Sequence, residues 1–339
     1  MTSSISHSKD ASRRIPRSLV LVVITAIAAW CLSAAYTLFF NPEVALFKHA
    51  VTVKQAWSKR LDAEFTNKVV IIGGSSSTFS VDAGEALRTG NVPIANLALG
   101  AGMGVKVLTR FGLPELRRGD TLLLMFEPGL LQGDLEPTQL GTQICIAVRH
   151  ANFAHPSNDL LPERRLPLQN YFAALRPGGY HFFTLLGKVI RGQALYRYTP
   201  ADFDESGHQQ TAAKAPLVTP GGTGQISPDA RAWLSKLKAH CESLGAEIAY
   251  ALPWAYCPTA EAEAFKRHNA SFLKQMTELV PVLREPGLGA YSVEEHFADT
   301  AFHLNKQGAA IRTAELTRAI TTRSFWNSSD LDAFLPPRQ

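Results

Sequence analysis

Hydroxyl side chains follow directly on a short strand of buried type near residue 70. Residues 69–82 read VVIIGGSSSTFSVD, so Ser75, Ser76 and Ser77 come after a β-branched run that two glycines close. In an open parallel sheet, ligands bind outside the carboxyl ends of the strands, and a following helix offers free N–H groups there. The pattern is typical of a serine nucleophile with half an oxyanion hole. The alternative is that the serines turn the chain and cap the helix.

A second group of reactive side chains lies more than two hundred residues later. Residues 297–309 read FADTAFHLNKQGA, in which Asp299 and His303 precede a helix that Asn305 is expected to cap. A histidine that acts as a base needs an acid to fix its tautomer and stabilise its charged form. Asp299 is close enough in the chain to do so. The alternative is a surface histidine beside a helix cap.

Together, these two segments resemble the outer sequence blocks of the SGNH (GDSL-like) hydrolase superfamily. Gly74-Ser75-Ser76 resembles the Gly-Asp-Ser block, which implies that Ser76 is the nucleophile, with His303 as base and Asp299 as its partner. Asp82 completes GSSSTFSVD, which looks like a variant found in anchored envelope members. Residues 96–102, NLALGAG, resemble the second block, which implies an oxyanion hole made by the N–H groups of Ser76 and of Gly102 or Gly100.

The sequence departs from the family pattern at two positions. The last block commonly has two residues between its acid and histidine, and this chain has three. The third block normally ends in an asparagine that donates to the oxyanion, but residues 122–129 read LLLMFEPG and place Glu127 there. An ionised carboxylate only accepts hydrogen bonds. Losing one oxyanion donor costs about 10²–10³ in rate, so the chain is a slow enzyme, uses another donor, or is not an enzyme.

Other site residues follow from position alone. Glu127, Trp254 and Asn305 are candidate substrate-binding residues, because Glu127 and Trp254 follow strand ends and Asn305 follows the histidine. No CxxC pair, zinc-type His/Cys spacing, GxGxxG or P-loop is present, so neither a metal nor a cofactor is expected. An oxidising compartment would permit a bridge between Cys241 and Cys257, which sequence does not establish.

Apolar runs and helical patterns alternate along most of the chain and predict a doubly wound α/β fold. The resemblance implies a three-layer α/β/α sandwich with a mostly parallel, flavodoxin-like sheet. Strands are expected at 68–72, 92–99, 121–126 and 247–252, with a weaker fifth at 280–283. Helices are expected at 229–244, 260–279 and 306–320. Residues 132–224, rich in Pro, Gly, His and aromatic residues, are expected to be an insertion that caps the sheet or shapes the cleft.

The N-terminal region has a composition of its own. Residues 18–40 contain no charge, and as a helix they span about 35 Å, enough for a hydrocarbon core of about 30 Å. The basic residues before them place the N-terminus in the cytoplasm and the rest of the chain outside it. A cleaved signal peptide is the alternative, since residues 33–35, SAA, resemble a cleavage site. The expected segments are a basic tail (1–17), an anchor (18–40), a juxtamembrane helix (41–66), an SGNH-like domain (67–325) and a tail (326–339).

The charge distribution bears on the partners. The formal net charge is +5, of which the first seventeen residues carry +3, so the remainder is only weakly basic and nucleic acid is not expected as a partner. The resemblance implies an anchored bacterial envelope protein of the inner membrane that works beside a membrane-bound O-acyltransferase on glycan or acyl ester substrates. Two hypotheses compete: a Ser-His-Asp esterase or O-acyltransferase, and a catalytically weak or inactive carbohydrate-binding or assembly protein. A doubly wound phosphate-binding domain is a third.

Overall fold

A parallel four-stranded sheet forms the centre of the protein in the computed structural model. The structure describes residues 16–176, 179–211, 213–215, 217–220, 224–285 and 287–335, with the backbone alone at 179–182. The expected basic tail therefore lies almost entirely outside the described residues. The strands are β1 (Val69–Gly73), β2 (Ile94–Asn96), β3 (Thr121–Met125) and β4 (Glu247–Tyr250). They lie in the order β2-β1-β3-β4.

The four stronger strand predictions are confirmed, and the expected α/β class with them. The first strand is shifted by one residue, and the other three are shorter than expected. The weaker segment at 280–283 forms only isolated bridges, one of which pairs Val282 with Tyr250. Pro281 lies in the middle of this segment and has no N–H to donate to a ladder. A separate two-stranded sheet joins β5 (Ala255–Tyr256) to β6 (Ala290–Tyr291).

Helices connect and flank the strands. In the described part of the chain the α-helices are α1 (Arg17–Ala35), α2 (Pro42–Glu64), α3 (Ser75–Ser80), α4 (Ala83–Gly90), α5 (Val105–Gly112), α6 (Gln139–Ala147), α7 (Leu168–Ala174), α8 (Gly179–Ile190), α9 (Pro228–Leu244), α10 (Ala262–Thr277), α11 (Lys306–Thr322) and α12 (Ser328–Asp332). A π-helical turn, Tyr36–Phe40, continues α1. Short 3₁₀ turns occupy Ala101–Met103, Leu113–Glu115, Pro128–Leu131, Ala151–Ala154, Pro200–Asp202 and Glu294–His296.

The core lies on the sheet and reaches the C-terminal region. All of β1 is buried, as expected for a parallel strand covered on both faces. Trp326 and Leu331 are buried in the same core, and α12 carries Leu331. The prediction of a tail from residue 326 is therefore wrong for its first part, because two large apolar side chains there gain by leaving water.

The long helix α2 fixes the N-terminal region to the sheet. Its Lys54 Nζ donates to Asn96 O at 2.8 Å, and Trp57 Nε1 donates to Ile94 O at 2.9 Å, so α2 lies along β2. The ring of Phe47, near the start of α2, lies against Gly100, just past the carboxyl end of β2. The start of α2 is therefore at the carboxyl edge of the sheet. Burial lowers the pKa of Lys54 to about 7, although the nearby negative charge of Asp204 raises it in part.

The apolar helix before α2 has the dimensions of a membrane span. Among the described residues, one helical stretch, Arg17–Phe40, is long and apolar enough to cross a bilayer, and its 24 residues cover about 36 Å. Its apolar side chains are largely exposed. All four cysteines of the chain are free, so Cys241 and Cys257 form no bridge; both are buried.

Candidate active site

Ser75, His303 and Asp299 meet at the carboxyl edge of the sheet and form a continuous hydrogen-bonded line. The Ser75 Oγ lies 3.0 Å from His303 Nε2, and His303 Nδ1 lies 2.9 Å from Asp299 Oδ1. With a proton on Nδ1 bonded to the carboxylate, Nε2 is free to accept the Ser75 proton. This is the geometry of a serine activated by a histidine base whose tautomer an acid fixes.

The histidine and the acid lie in a tight turn before α11. The His303 N–H donates to Thr300 Oγ1 at 3.1 Å, and the Ala298 N–H donates to His303 O at 2.7 Å. The hydroxyl of Thr300 thus folds the chain so that Asp299 and His303 face each other. The turn absorbs the additional residue that the spacing of this segment contains.

Two side chains from the insertion hold the acid. Tyr198 OH and Arg197 Nη1 each lie 2.5 Å from Asp299 Oδ2, the oxygen that His303 leaves free. Burial alone would raise the pKa of Asp299, but the hydrogen bonds from His303, Tyr198 and Arg197 outweigh it and hold that pKa well below its usual range. Asp299 is therefore a fixed negative charge opposite the imidazole. Burial and this bond to the carboxylate raise the pKa of Tyr198.

The serine that faces the histidine is Ser75, and the sequence-based assignment of Ser76 is wrong in this respect. Ser76 Oγ is buried and has no hydrogen-bond partner in the described part of the chain. Both residues lie in the first turn of α3, and one step along a helix turns the side chain by about 100°. Phe79, one turn after Ser75, stacks on the His303 ring at 4.2 Å between centroids. This contact keeps the imidazole on the Ser75 side of the helix.

The N–H of Ser76 is also engaged by another group. It donates to Glu127 Oε1 at 3.0 Å, whereas the sequence-based interpretation assigned it to the oxyanion hole. Glu127 is only 8% exposed, and its Oε2 has no partner among the described residues. A Cβ on Gly74 would lie 2.2 Å from Oε2, so only glycine leaves room for the carboxylate. Glu127 is a buried group beneath the start of α3, not a carboxylate in solvent.

The glycine segment after β2 lies beside the same turn. The Thr78 hydroxyl in α3 donates to Ala98 O at 2.8 Å, and the Leu99 N–H donates to Gly73 O at 3.2 Å. These bonds bring the Gly100–Gly102 loop to the edge that carries Ser75. Gly102 is exposed and Gly100 is buried. The structure thus places the Gly100–Gly102 loop next to the serine turn.

Two candidate substrate-binding residues have structural contacts instead. Trp254 is buried, stacks on Tyr291 with centroids 4.2 Å apart, and lies beneath the guanidinium of Arg312. The Asn305 side chain caps α11 by accepting the N–H groups of Gln307 and Gly308, both at 3.1 Å. The cap was expected, and it engages the side-chain oxygen of Asn305.

Sequence reasoning missed Arg197, Tyr198 and Phe79. Arg197 and Tyr198 lie about a hundred positions before Asp299. The segment that carries them has no regular hydrophobic pattern and no sequence motif that would indicate a contact with Asp299. Phe79 has the residue type of an ordinary core side chain. Its position four residues after Ser75 was the only available signal, since that spacing places both on one helix face.

Comparison of this chain with protein-family models, with curated proteins and with solved structures gives no match. Among the described residues, no group of three or more His, Cys, Asp or Glu side chains could hold a metal ion.

Proposed function

We propose that this chain is a membrane-anchored, extracytoplasmic serine esterase or O-acyltransferase of the SGNH type. The observation that carries the proposal is the line from Ser75 Oγ through His303 to Asp299, with distances of 3.0 and 2.9 Å. A hydroxyl, a base and an orienting carboxylate in this order are the groups that acyl transfer requires. The strand order β2-β1-β3-β4 is the beginning of the flavodoxin-like order, which supports a three-layer α/β/α sandwich.

The proposed reaction has two steps. Ser75 Oγ attacks the carbonyl of an acyl ester while His303 Nε2 takes its proton, and the alcohol leaves with that proton, which gives an acyl-enzyme. A water molecule or a glycan hydroxyl then gives its proton to His303 Nε2 and attacks the acyl carbon. The bond from that carbon to Ser75 Oγ breaks, and His303 returns the proton to Ser75 Oγ. Asp299 stabilises the imidazolium in both steps. The N–H of Ser75 and an N–H of the Gly100–Gly102 loop are the proposed oxyanion donors.

The proposed location follows from the anchor. Residues 18–40 cross the bacterial inner membrane, and the basic residues Lys9, Arg13, Arg14 and Arg17 keep the N-terminus cytoplasmic. The folded domain then lies in the periplasm or outside the cell. Acyl esters of envelope glycans are the proposed substrates, and a membrane-bound O-acyltransferase that delivers acyl groups, as in polysaccharide acetylation, is the proposed partner.

A second function is favoured by one observation. Glu127 stands where the resemblance predicts an oxyanion donor, and it also accepts the N–H of Ser76. A carboxylate there opposes the developing negative charge, which favours a catalytically weak glycan-binding or assembly protein.

Acyl release and acyl transfer by the purified full chain separate the two functions. The protein in detergent is incubated with a chromogenic acetyl ester, with and without a glucan oligosaccharide, and acetylated products are measured by mass spectrometry. We expect release or transfer that Ser75→Ala abolishes. Glycan binding by the wild type without either activity would favour the second function.

A further inference from the structure

A large apolar cavity separates the anchor from α8. Its volume is about 850 Å³, within the range of roughly 300–1,000 Å³ usual for ligand sites. The anchor supplies Leu32, Ser33 and Tyr36 on one side, and α8 supplies Leu186 and Val189 on the other. The walls are largely apolar, so the chemistry of the cavity suits a hydrocarbon ligand.

The contact between the anchor and α7 sets the depth of this cavity in a bilayer. Trp30 Nε1 donates to Phe172 O at 3.2 Å, and the two rings lie 4.8 Å apart. From Arg17 to Trp30 the helix rises only about 20 Å, short of a hydrocarbon core of about 30 Å. A spanning anchor must therefore continue through the core beyond Trp30. The part of α7 at Phe172 then lies at membrane depth.

The outer surface of α7 and α8 has the composition of a lipid-facing surface. Phe172 in α7 is 50% exposed, and Phe183 and Ile190 in α8 are 71% and 76% exposed. The sequence from 177 to 187 contains no Asp, Glu, Lys or Arg, and Arg176 and Lys188 lie at its two ends. Basic side chains at the ends of an apolar segment can extend to the lipid headgroups.

The orientation of the domain agrees with this depth. The start of α2 follows the anchor and lies at the carboxyl edge of the sheet, beside Gly100. The opposite edge of the sheet is the end at which Arg323 pairs with Glu247, at the beginning of β4. The membrane therefore lies on the side of the sheet that carries Ser75.

We propose that α7 and α8 are immersed in the outer leaflet and that the cavity between α8 and the anchor binds the acyl chain of a membrane phospholipid. The inference rests on the proposed membrane anchoring. A bilayer phospholipid is the occupant because the anchor wall of the cavity lies within the hydrocarbon, where such chains surround it. Leu140, which lines the cavity, lies 3.6 Å from where a Cβ on Gly102 would be, so one end of the cavity lies beside the Gly100–Gly102 loop.

Depth-dependent quenching tests the immersion of α8. The full chain carries Cys31→Ser, which removes the exposed cysteine and leaves only the buried Cys145, Cys241 and Cys257. An environment-sensitive fluorophore is placed at Ile27→Cys, Val189→Cys or Thr322→Cys in vesicles of phosphatidylcholine and phosphatidylglycerol that contain acyl-chain nitroxide lipids. We expect quenching at 27 and 189 and none at 322. Quenching at 27 alone would overturn the inference and leave the anchor intact, and quenching at neither would overturn both.

Photo-crosslinking tests the occupancy of the cavity. A phosphatidylcholine with a diazirine on its acyl chain is irradiated with the full chain in the same vesicles, and labelled peptides are identified. We expect label at Val189, which lines the cavity, and Ser33→Trp should remove it by filling the cavity, whereas Ile24→Trp, on the exposed anchor surface, should leave it. Label at Phe183, on the outer surface of α8, should persist in every variant. Leu186→Trp fills the cavity from the opposite wall. Loss of the label in both variants would show that filling the cavity, and not a local change at one position, is the cause. Equal labelling of Val189 in all variants would mean that lipid lies only outside the cavity, which would overturn the proposal.

Discussion

The Ser75 hydroxyl has a well-formed set of groups that could take its proton, but a poorer set that could stabilise a negative charge formed beside it. On the base side, His303 lies 3.0 Å away, and Asp299 receives bonds from His303, Tyr198 and Arg197. On the proposed oxyanion side, Glu127 stands in the sequence where the resemblance implies a donor, and it accepts the neighbouring N–H of Ser76. Activation of a nucleophile and stabilisation of the negative charge it creates are therefore separate features of this site.

The difference has a consequence for rate. A well-oriented base speeds the attack on an acyl carbonyl. When oxyanion donors are missing, the negatively charged tetrahedral intermediate is less stabilised, so the activation free energy stays higher. A site with a complete base side and a poor oxyanion side should react well with strongly electrophilic reagents and slowly with ordinary esters.

The largest expected effect concerns the two serines. Ser75→Ala removes the hydroxyl that faces His303 and should lower the rate of ester hydrolysis by about 10⁴–10⁶. Ser76→Ala removes a hydroxyl without a partner among the described residues and should change the rate less than about threefold. Steady-state hydrolysis of an acetyl ester measures both. The reverse ranking would restore Ser76 as the nucleophile and overturn the comparison.

The acid of the base side comes next. Asp299→Asn replaces the charge that stabilises the imidazolium and favours the wrong tautomer, so kcat should fall by about 10³–10⁴. Asp229→Asn, on an exposed position of α9, is the matched control and should leave kcat unchanged. A loss below tenfold would show that His303 does not depend on Asp299.

The support of the acid is expected to have a smaller effect. Tyr198→Phe deletes one hydrogen bond to the Asp299 carboxylate, worth about 1.5 kcal/mol, and should lower kcat about tenfold. Tyr196→Phe changes the neighbouring tyrosine, whose hydroxyl bonds to Glu43, and should leave kcat within about twofold. Equal effects of the two variants on kcat would mean that kcat depends on the packing of the segment that carries both tyrosines and not on the hydrogen bond to Asp299.

The oxyanion side should respond in the opposite direction. Glu127→Gln keeps an oxygen to accept the Ser76 N–H but removes the negative charge, so hydrolysis should rise by about three- to tenfold. Glu261→Gln, an exposed carboxylate at the start of α10, serves as the control. A fall in rate with Glu127→Gln would show that the carboxylate helps catalysis. The oxyanion side would then not be the weaker side of the site.

The pH dependence of stability gives the smallest effect. The folded-state pKa of Asp299 lies below its unfolded value, so its hydrogen bonds stabilise the fold fully above about pH 4 and are lost as the pH falls further. The thermal midpoint of the wild type should therefore drop more steeply than that of Asp299→Asn as the pH falls from about 4 towards about 2. Parallel curves would mean that Asp299 is not bonded as described.

Sequence patterns predicted the parts of the fold and site that depend on local order. The four strands are continuous apolar runs closed by turn residues, and a parallel arrangement brings their carboxyl ends to one edge. The pairing of Asp299 with His303 was predictable because four positions separate them. The α/β class and the apolar N-terminal helix were predicted for the same reason, since each depends on composition within a short segment.

Features that depend on tertiary contacts were not predictable in the same way. Ser75 and Ser76 have the same side chain and adjacent positions, and the packing of Phe79 on His303 decides which of them faces the base. Trp254 has the residue type expected of a sugar-binding surface, but its stacking on Tyr291 buries it. The arrangement of α7 and α8 against the anchor depends on the contact of Trp30 with Phe172, which no periodicity shows.

The position of a covalent label shows directly whether Ser75, activated by His303, is the nucleophile. The full chain in detergent is treated with a fluorophosphonate, whose strong electrophile needs the base side more than the oxyanion side, and the modified peptide is sequenced by mass spectrometry. We expect phosphonylation of Ser75 that His303→Ala prevents and Ser76→Ala does not. Label on Ser76, or no label at a pH where the base is neutral, would contradict it.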